Sequence, residues 1–480
     1  MDNQEFRKYA HQVADWMADY IENVEELPVK SLVKPGEIFG QIPASPPKKS
    51  ESMETIIDDV NRIILPGITQ WQSPNFFAYF PANSSYPSVL AEMMTATMGA
   101  QCMVWETSPA AAELEEKVMC WLKEMTGIPA EFEGVIQDSA STSTLVAILS
   151  AREKYSSFAI NEKGIQSANF RIYCSSEAHS SVEKAVKISG IGSENLRKIA
   201  IDEALALNPL KLEEIIKQDI KAGLIPICVV AAVGATGTCA MDPVKEISAI
   251  CRKYNIWLHI DAAYAGSAMV LPEHRYLIEG IENADSYVFN PHKWLFTNFD
   301  CSAYFVRDKE TLIKTFEILP EYLKTRPDSI VNNYRDWGVQ LGRRFRALKL
   351  WFVIREMGTE EIKTKISNHI LWANELALQI KQSKEFRLFE PQHLALICFS
   401  FCPDGMNEIP KINALNLNFL HHLNSSGKLY LSHTKIRGQV YLRMQIGQTS
   451  VSREHVQKAW SFIQTESVKY MESYGTLEPK

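Results

Sequence analysis

Apolar and polar residues alternate with a helical period through the amino-terminal part of the chain. The apolar positions recur three or four residues apart, and they are Phe6, Tyr9, Val13, Trp16, Met17, Tyr20 and Val24. This spacing predicts an amphipathic helix with a wide apolar face, and a second helix is predicted at residues 53–65 after the proline-rich connection 43–47. Two or three helices cannot bury such faces alone. The segment is therefore expected to pack either on the rest of its own chain or on a second copy of it.

Short apolar runs alternate with helical patterns in the middle of the chain. An aromatic-rich segment, 71–81, is predicted to be extended, and helices are predicted at 85–99 and 109–125. The predicted strands are residues 134–137, 170–174, 225–233, 256–260, 286–289 and 302–306, with helices beginning near Ser180 and Pro243. This alternation predicts an α/β fold with a mostly parallel sheet covered by helices, whose ligands gather beyond the carboxyl ends of the strands.

The last part of the chain has a different pattern. Residues 320–328 are polar and flanked by prolines, which predicts a mobile loop, and a helix follows near 344–355. Strands at 395–401 and 440–444 among helices then predict a smaller α+β domain. The predicted organisation is an amino-terminal helical segment over 1–82, a large α/β domain over 83–357 and the small domain over 358–480.

Composition and charge narrow the classes of partner. The chain has 480 residues, of which 46% are hydrophobic, and a formal net charge of −7, which argues against binding nucleic acid or an anionic membrane. The sequence begins without the pattern of a secretory signal, and no apolar run has membrane-spanning length. Nine cysteines and eleven histidines form neither a disulfide framework nor a metal-binding pattern. We therefore expect a cytoplasmic protein whose partners are small molecules and a second copy of itself, with no metal.

Lys293 and Asp261 are the first candidates for chemistry, because each follows a predicted strand. A lysine amine held there is suited to form a Schiff base with an aldehyde, of which pyridoxal 5′-phosphate is the commonest, although most lysines are solvated surface charges. A carboxylate at a strand end can pair with a protonated pyridine nitrogen, and the small residues Ala262 and Ala263 beside it leave room for a flat ring.

A second candidate is an anion site at the turn after the first strand. Ser139, Ser141 and Thr142 can cap the helix that begins there, and free backbone N–H groups with the helix dipole suit a phosphate. Capping without a ligand explains the same residues. His179 and Thr236 also fall just after predicted strands, so four candidate side chains are expected at one edge of the sheet.

Several ordered motifs resemble one family. They are residues 77–81 (FAYFP), 134–137 (GVIQ), 178–182 (AHSSV), 258–267 (LHIDAAYAGS), 290–293 (NPHK) and 341–345 (LGRRF). Their order and spacing resemble the group II pyridoxal-phosphate decarboxylases, specifically the aromatic-L-amino-acid decarboxylases, nearly from end to end. The resemblance implies an aspartate aminotransferase-like fold of fold type I and a homodimer interlocked through the amino-terminal segment. It also implies the conversion of tryptophan, 5-hydroxytryptophan, dihydroxyphenylalanine, tyrosine or phenylalanine to the amine and CO2.

The resemblance also assigns roles to single residues. Lys293 carries the cofactor as a Schiff base, Asp261 holds the pyridine nitrogen, and His179 stacks on the ring face opposite Ala263. The remaining cofactor contacts match Ala140, Ser141, Thr236, Asn290 and His292, and the substrate wall matches Trp71, Tyr79, Phe80, Pro81, Ala82, Gln101, Met103, His179, His292 and Gly342, partly from the opposing subunit. Aromatic core packing explains the aromatic members of this wall equally well.

Departures from the animal enzymes leave the preferred substrate open. Ala82 replaces a threonine, and Gln101 and Met103 replace larger apolar side chains, while Gly342 is compatible with indoles and catechols. Glutamate is a poor candidate, because residues 71–105 contain no lysine or arginine to hold its side-chain carboxylate.

Tyr322 lies in the loop that, in this family, carries tyrosine in decarboxylases and phenylalanine in aldehyde synthases. Tyrosine predicts protonation of the carbanion at Cα and release of an amine, although a surface tyrosine without chemistry would have the same pattern. The alternatives to an amine-forming decarboxylase are an aromatic aldehyde synthase, a non-catalytic dimeric binding protein on the same fold, and a lysine Schiff-base lyase without a cofactor.

Overall fold

A computed structural model describes residues 1–166, 169–318 and 331–474 of the protein. The strands are β1 (Glu133–Gln137), β2 (Phe170–Ser175), β3 (Leu196–Ile199), β4 (Ile225–Ala232), β5 (Trp257–Asp261), β6 (Ser286–Phe289), β7 (Ser302–Val306), β8 (Phe386–Leu388), β9 (Leu396–Phe401), β10 (Ser432–Ile436) and β11 (Gln439–Gln445). The helices are α1 (Asn3–Asn23), α2 (Glu37–Gln41), α3 (Met53–Asp59), α4 (Tyr86–Met98), α5 (Pro109–Thr126), α6 (Ala140–Tyr155), α7 (Ala159–Lys163), α8 (Ser181–Ile188), α9 (Pro209–Lys221), α10 (Val244–Tyr254), α11 (Pro291–Trp294), α12 (Lys309–Phe316), α13 (Arg346–Gln382), α14 (Ile409–Ser425) and α15 (Arg453–Tyr474).

The chain divides into two units. The large unit comprises residues 82–371 and 390–396, and the small unit comprises residues 1–81, 372–389 and 397–480. The amino-terminal helices and the carboxyl-terminal sheet therefore belong to one unit, whereas the sequence analysis assigned them to separate segments.

A seven-stranded sheet in the order β1-β7-β6-β5-β4-β2-β3 forms the core of the large unit. Neighbours from β6 to β3 pair in parallel, and β7 pairs antiparallel with both β6 and β1. All strands except β7 therefore point the same way, which confirms the predicted α/β fold with a mostly parallel sheet. β3 and the reversed direction of β7 were not predicted.

α6 begins where β1 ends, because Ser139 caps it. The Ser139 side chain accepts a hydrogen bond from the N–H of Thr142 at 3.2 Å. The apolar residues Val146, Ala147 and Ile148 of α6 are fully buried and belong to a core cluster that also contains residues of the strands. The first turn of α6 is thus fixed at the carboxyl edge of the sheet by packing along the rest of the helix.

The small unit contains a four-stranded sheet in the order β10-β11-β9-β8 and the terminal helices. α1 lies where the amphipathic pattern predicts a helix, and it begins with a capping box between Asp2 and Glu5. None of its residues is fully buried within the chain. Segment 71–81 forms turns around a buried Phe76 and makes a single bridge to Tyr430 rather than a strand.

No helix in residues 1–166, 169–318 and 331–474 is long and apolar enough to cross a membrane. Within the same residues, no group of three or more histidine, cysteine or acidic side chains is arranged to hold a metal ion.

Candidate active site

The carboxyl ends of four neighbouring strands bring the candidate residues together. In the sheet order β6-β5-β4-β2, these ends lead to Lys293, Asp261, Thr236 and His179. The strands are held in register, with Asp261 opposite Ala232 of β4 and opposite Val288 of β6. The parallel sheet therefore places side chains that lie up to 114 residues apart in the sequence at one edge.

Lys293 lies on α11, a helix of only four residues. Pro291 occupies its first turn, where the missing N–H costs no hydrogen bond. The preceding residue, Asn290, is tied on two sides, because its N–H donates to the Ala263 carbonyl at 2.9 Å and its Oδ1 accepts from the Ser302 hydroxyl at 2.7 Å. These bonds connect the segment carrying Lys293 to the loop that follows Asp261.

The charges of Lys293 and Asp261 are coupled. Burial lowers the pKa of the Lys293 ammonium from its ordinary value, and the nearby carboxylate of Asp261 opposes part of that shift. Asp261 is itself held by the N–H of Ala263, which donates to its Oδ1 at 3.1 Å. An amine with a lowered pKa is a better nucleophile near neutral pH, so this environment suits covalent chemistry at Nζ.

His179 shares the electrostatic environment of this pair. Burial lowers the pKa of its imidazole, Asp261 raises it and Lys293 lowers it, so the three groups lie within interaction range. Its Nδ1 lies 2.8 Å from the Ser181 hydroxyl and accepts from the Ser181 N–H at 3.2 Å. The ring is therefore oriented by α8 while much of it stays exposed.

His292 is a buried, neutral imidazole beside Lys293. The N–H of Cys301 donates to its Nδ1 at 2.8 Å, which leaves the ring proton on Nε2. Burial is the largest cause that lowers the pKa of His292 to about 3, and the charge of Lys293 adds to it. His292 can thus donate one hydrogen bond at neutral pH without carrying a charge.

Two aromatic rings, Tyr264 and His369, contact Trp294 at the end of α11. Tyr264 stacks on Trp294 with ring centroids 4.6 Å apart, and the Trp294 Nε1–H donates to His369 Nδ1 at 3.0 Å. Burial lowers the pKa of His369 to about 3, so its Nδ1 remains an acceptor at neutral pH. This array joins the residues after Asp261, the helix of Lys293 and α13.

The predicted anion site corresponds to the amino-terminal end of α6. Ser141 is exposed in its first turn and Ala140 is buried beside it. Thr236 is also exposed, after the turn that follows β4. Exposed hydroxyls and helix N–H groups at the same sheet edge as Lys293 form a suitable donor set for a phosphate.

Part of the predicted substrate wall lies in the large unit. Gln101 and Gly342 are neighbours, because a Cβ added to Gly342 would meet the Gln101 amide nitrogen at 3.3 Å and the Arg343 N–H donates to Gln101 Oε1 at 2.8 Å. The carbonyl of Met103 accepts from the N–H of Arg335 at 2.9 Å. Ala82 is partly buried.

The aromatic part of the wall lies in the small unit. Trp71 stacks on Tyr79 with ring centroids 5.7 Å apart, and both side chains are more than a third exposed. Phe80 and Pro81 are buried, and the Arg443 guanidinium lies over the Phe80 ring at 5.7 Å. Tyr322, the candidate proton donor, lies outside the described residues.

Several residues that hold the site from a distance were not predicted from the sequence. They are Asn83, Tyr264 in its stacking role, Cys301, Ser302 and His369. Asn83 contacts the backbone of α11 although it lies 210 residues from Lys293, and His369 contacts the Trp294 ring of α11 although it lies 75 residues away. No local pattern marks such contacts.

The side chains present fit pyridoxal 5′-phosphate. An amine with a lowered pKa can bind the aldehyde, a carboxylate nearby can pair with the ring nitrogen, and a helix amino terminus with exposed hydroxyls can hold the phosphate. Asp261, Ala263 and His179 keep exposed surface although Ala262, Tyr264 and Asn290 around them are buried. The accessible surface is therefore concentrated where a flat ring would be held.

Comparison with known proteins gives consistent results. The family model described as the pyridoxal-dependent decarboxylase conserved domain matches residues 35–402. Phenylacetaldehyde synthase of Arabidopsis thaliana is 42% identical, with 97% of this chain and 96% of the relative covered. Aromatic-L-amino-acid decarboxylase of Mus musculus is 41% identical, with coverage of 96% and 97%.

A solved structure agrees over almost the whole length. The crystal structure of Oryza sativa TDC with PLP and tryptamine superposes with a TM-score of 0.94 at 32% sequence identity, covering 98% of this chain and 99% of that one. The sheet order, the strand-end lysine and carboxylate, and the extent of these matches lead to one conclusion. The chain belongs to the pyridoxal-dependent decarboxylase family.

Proposed function

We propose that the protein decarboxylates an aromatic L-amino acid and releases the corresponding amine, with pyridoxal phosphate bound to Lys293. The observation that carries the proposal is the coupling of Lys293, Asp261 and His179 at the ends of β6, β5 and β2. An amine, a carboxylate and an exposed imidazole at one sheet edge supply the groups that this chemistry requires.

Each residue has a distinct task in this mechanism. Bound pyridoxal phosphate supplies an electron-accepting ring that stabilises the electron pair left at Cα when CO2 departs. Asp261 holds a proton at the ring nitrogen, and His179 offers the flat face of its imidazole to the ring. Lys293 Nζ would hold the cofactor through its aldehyde carbon and supply the amine that exchanges with the product, and the neutral His292 would keep its Nε2–H available as a hydrogen-bond donor beside it. Ser141 and the amino terminus of α6 bind the phosphate.

The substrate class is inferred from the residues of the predicted wall. Residues 71–105 contain no lysine or arginine, so an acidic side chain would have no cation from that segment. The exposed rings of Trp71 and Tyr79 favour an aromatic side chain. Relatives named as aromatic-L-amino-acid and tyrosine decarboxylases support the same class.

The proposal also specifies the product, which is the amine rather than the aldehyde. Tyr322 matches the decarboxylase pattern and favours an amine, because a phenol can protonate Cα once CO2 has left. An aldehyde synthase is the alternative, and the similarity to phenylacetaldehyde synthase favours it. That reaction consumes one oxygen and one water molecule and yields the aldehyde with CO2, ammonia and hydrogen peroxide.

One set of product measurements tests both the proposed substrate class and the proposed product. Phenylalanine, tyrosine, dihydroxyphenylalanine, tryptophan and 5-hydroxytryptophan are offered separately, and CO2, amine, aldehyde and peroxide are measured from each reaction. We expect CO2 and amine in equal amounts from at least one of them. Tyr322→Phe should still release CO2 but shift its product to the aldehyde, because the electron pair at Cα then persists long enough to react with oxygen.

Three results would contradict the proposal. Wild-type protein that makes aldehyde and peroxide in place of the amine would identify an aldehyde synthase. An unchanged amine yield from Tyr322→Phe would remove the phenol from the protonation step. Glutamate serves as the control substrate, and its decarboxylation would overturn the aromatic class.

We also propose that the protein works as a homodimer. α4 exposes Tyr86, Leu90, Met94 and Met98 at four-residue intervals, which forms an apolar stripe on one face, and no residue of α1 is fully buried within its own chain. A second copy of the chain would cover these faces.

Sedimentation at the concentrations used for activity is expected to give twice the chain mass, and Leu90→Glu with Met94→Glu should weaken the dimer. A fully active monomer would contradict this expectation.

A further inference from the structure

We propose that Asn83 is a positioning residue that holds Lys293 in place through the carboxyl end of α11. This inference rests on the proposed function, in which Lys293 binds the cofactor. Asn83 lies 210 residues before Lys293 and is 1% exposed. No role in cofactor or substrate binding was predicted for it from the sequence.

Asn83 donates hydrogen bonds to two consecutive carbonyl groups of α11, those of His292 and Lys293. Its backbone N–H donates to the His292 carbonyl at 3.0 Å, and its side-chain Nδ2 donates to the carbonyl of Lys293 itself at 2.8 Å. A four-residue helix has almost no internal hydrogen bonds, so its carbonyl groups need partners from elsewhere. One buried residue therefore fixes two consecutive peptide groups.

The opposite end of the helix is held separately. Asn290, before the first turn, is anchored by the Ala263 carbonyl and the Ser302 hydroxyl, and His292 is anchored through its ring by Cys301. Without the Asn83 amide, α11 would keep these anchors but lose the one at the Lys293 peptide. Movement would then be concentrated in the residue whose Nζ must meet the substrate.

This local movement differs from general loss of stability. The Lys293 amine owes its lowered pKa to burial, so a backbone that allows the side chain to reach water should let that pKa rise. A residue that stabilises only the fold would lower the unfolding temperature without changing the titration of one amine. The pH dependence of cofactor incorporation therefore distinguishes positioning from a purely structural role.

Asn83→Ala is the test variant, because it removes the side-chain donor and keeps the backbone bond to His292. Protein freed of cofactor is mixed with pyridoxal phosphate over a range of pH, the rate of incorporation is followed by visible absorbance, and the modified lysine is identified by mass spectrometry after borohydride reduction. We expect the pH midpoint of incorporation to rise by about half a unit or more. We also expect kcat to fall about tenfold while KM stays within about twofold.

Asn161→Ala is the matched control. The Asn161 amide nitrogen donates to the Thr315 carbonyl near the end of α12, also at 2.8 Å, away from Lys293. It should lower the unfolding temperature without changing the pH midpoint or kcat. Asn83→Ser keeps a polar group too short to reach the Lys293 carbonyl, and it replaces the alanine variant if that one does not fold.

The outcomes are separable from those of the proposed function. The incorporation rate uses only pyridoxal phosphate, so it reports on Asn83 even if no aromatic amino acid is decarboxylated. A wild-type pH midpoint and wild-type kcat in Asn83→Ala would overturn the inference. The inference would also be overturned if Asn161→Ala, at an equal loss of unfolding temperature, changed the pH midpoint and kcat as much as Asn83→Ala does.

Discussion

Lys293→Ala is expected to abolish steady turnover, with a loss on the order of 10³ or more in kcat. The Lys293 amine follows β6, on α11, and is desolvated and electrostatically coupled to Asp261. Removing it takes away covalent attachment of the cofactor and the group that displaces the product. A residual single turnover is compatible with this, because the substrate amine can still react with loosely bound aldehyde.

Cofactor chemistry and activity are measured on the same samples. Purified wild-type protein should be yellow and lose that colour on borohydride treatment, with the reduced adduct found on Lys293, whereas Lys293→Ala should carry no such adduct. Lys245→Ala removes a surface lysine paired with Glu279 and should behave as wild type. Colourless active protein would favour a lyase without the cofactor, and retained turnover in Lys293→Ala would remove Lys293 from its role.

Asp261→Asn should lower kcat by about a hundredfold and weaken cofactor binding. The asparagine oxygen can still accept from the N–H of Ala263, so the turn after β5 is preserved. The variant cannot supply the negative charge that holds a proton at the ring nitrogen, and the ring then accepts electrons less well. Asp261→Ala loses the turn contact too and should be the worse of the two.

Asp308 provides the control for Asp261, because its carboxylate also accepts a hydrogen bond from a nearby backbone N–H. Asp308 caps α12 by accepting from the N–H of Thr311 at 3.1 Å, so Asp308→Asn removes a charge while keeping an acceptor. It should leave the cofactor dissociation constant and kcat near wild-type values. If Asp261→Asn also binds the cofactor and reacts as wild type does, the pairing with the ring nitrogen is wrong.

The sequence predicted most of the sheet because its strands have a clear local pattern. Parallel strands buried on both faces are short apolar runs, and the residues that follow them lie at one edge whatever the details of packing. Lys293, Asp261, Thr236 and His179 could be placed together by this rule alone. Their roles came from resemblance, because periodicity does not distinguish a catalytic lysine from a buried structural one.

The missed features depend on contacts that leave no local pattern. β3 is only four residues long, and three of them are not fully buried, so its apolar signal is weak. The reversal of β7 depends on pairing with β1 and β6, since a buried antiparallel strand has the same composition as a parallel one. Asn83 and His369 are ordinary polar residues in sequence, and their contacts with α11 exist only after the chain has folded.

The position of β1 in the sheet has a consequence for synthesis of the chain. β1 is the first strand to emerge from the ribosome, and its partner is β7, with Glu133 opposite Val306. The pairing of β1 must therefore wait until residue 306 is available. Such non-local pairing slows folding. Newly made chains should therefore leave β1 and the β7-facing edge of β6 without their partner strand for a period in which chaperones can bind.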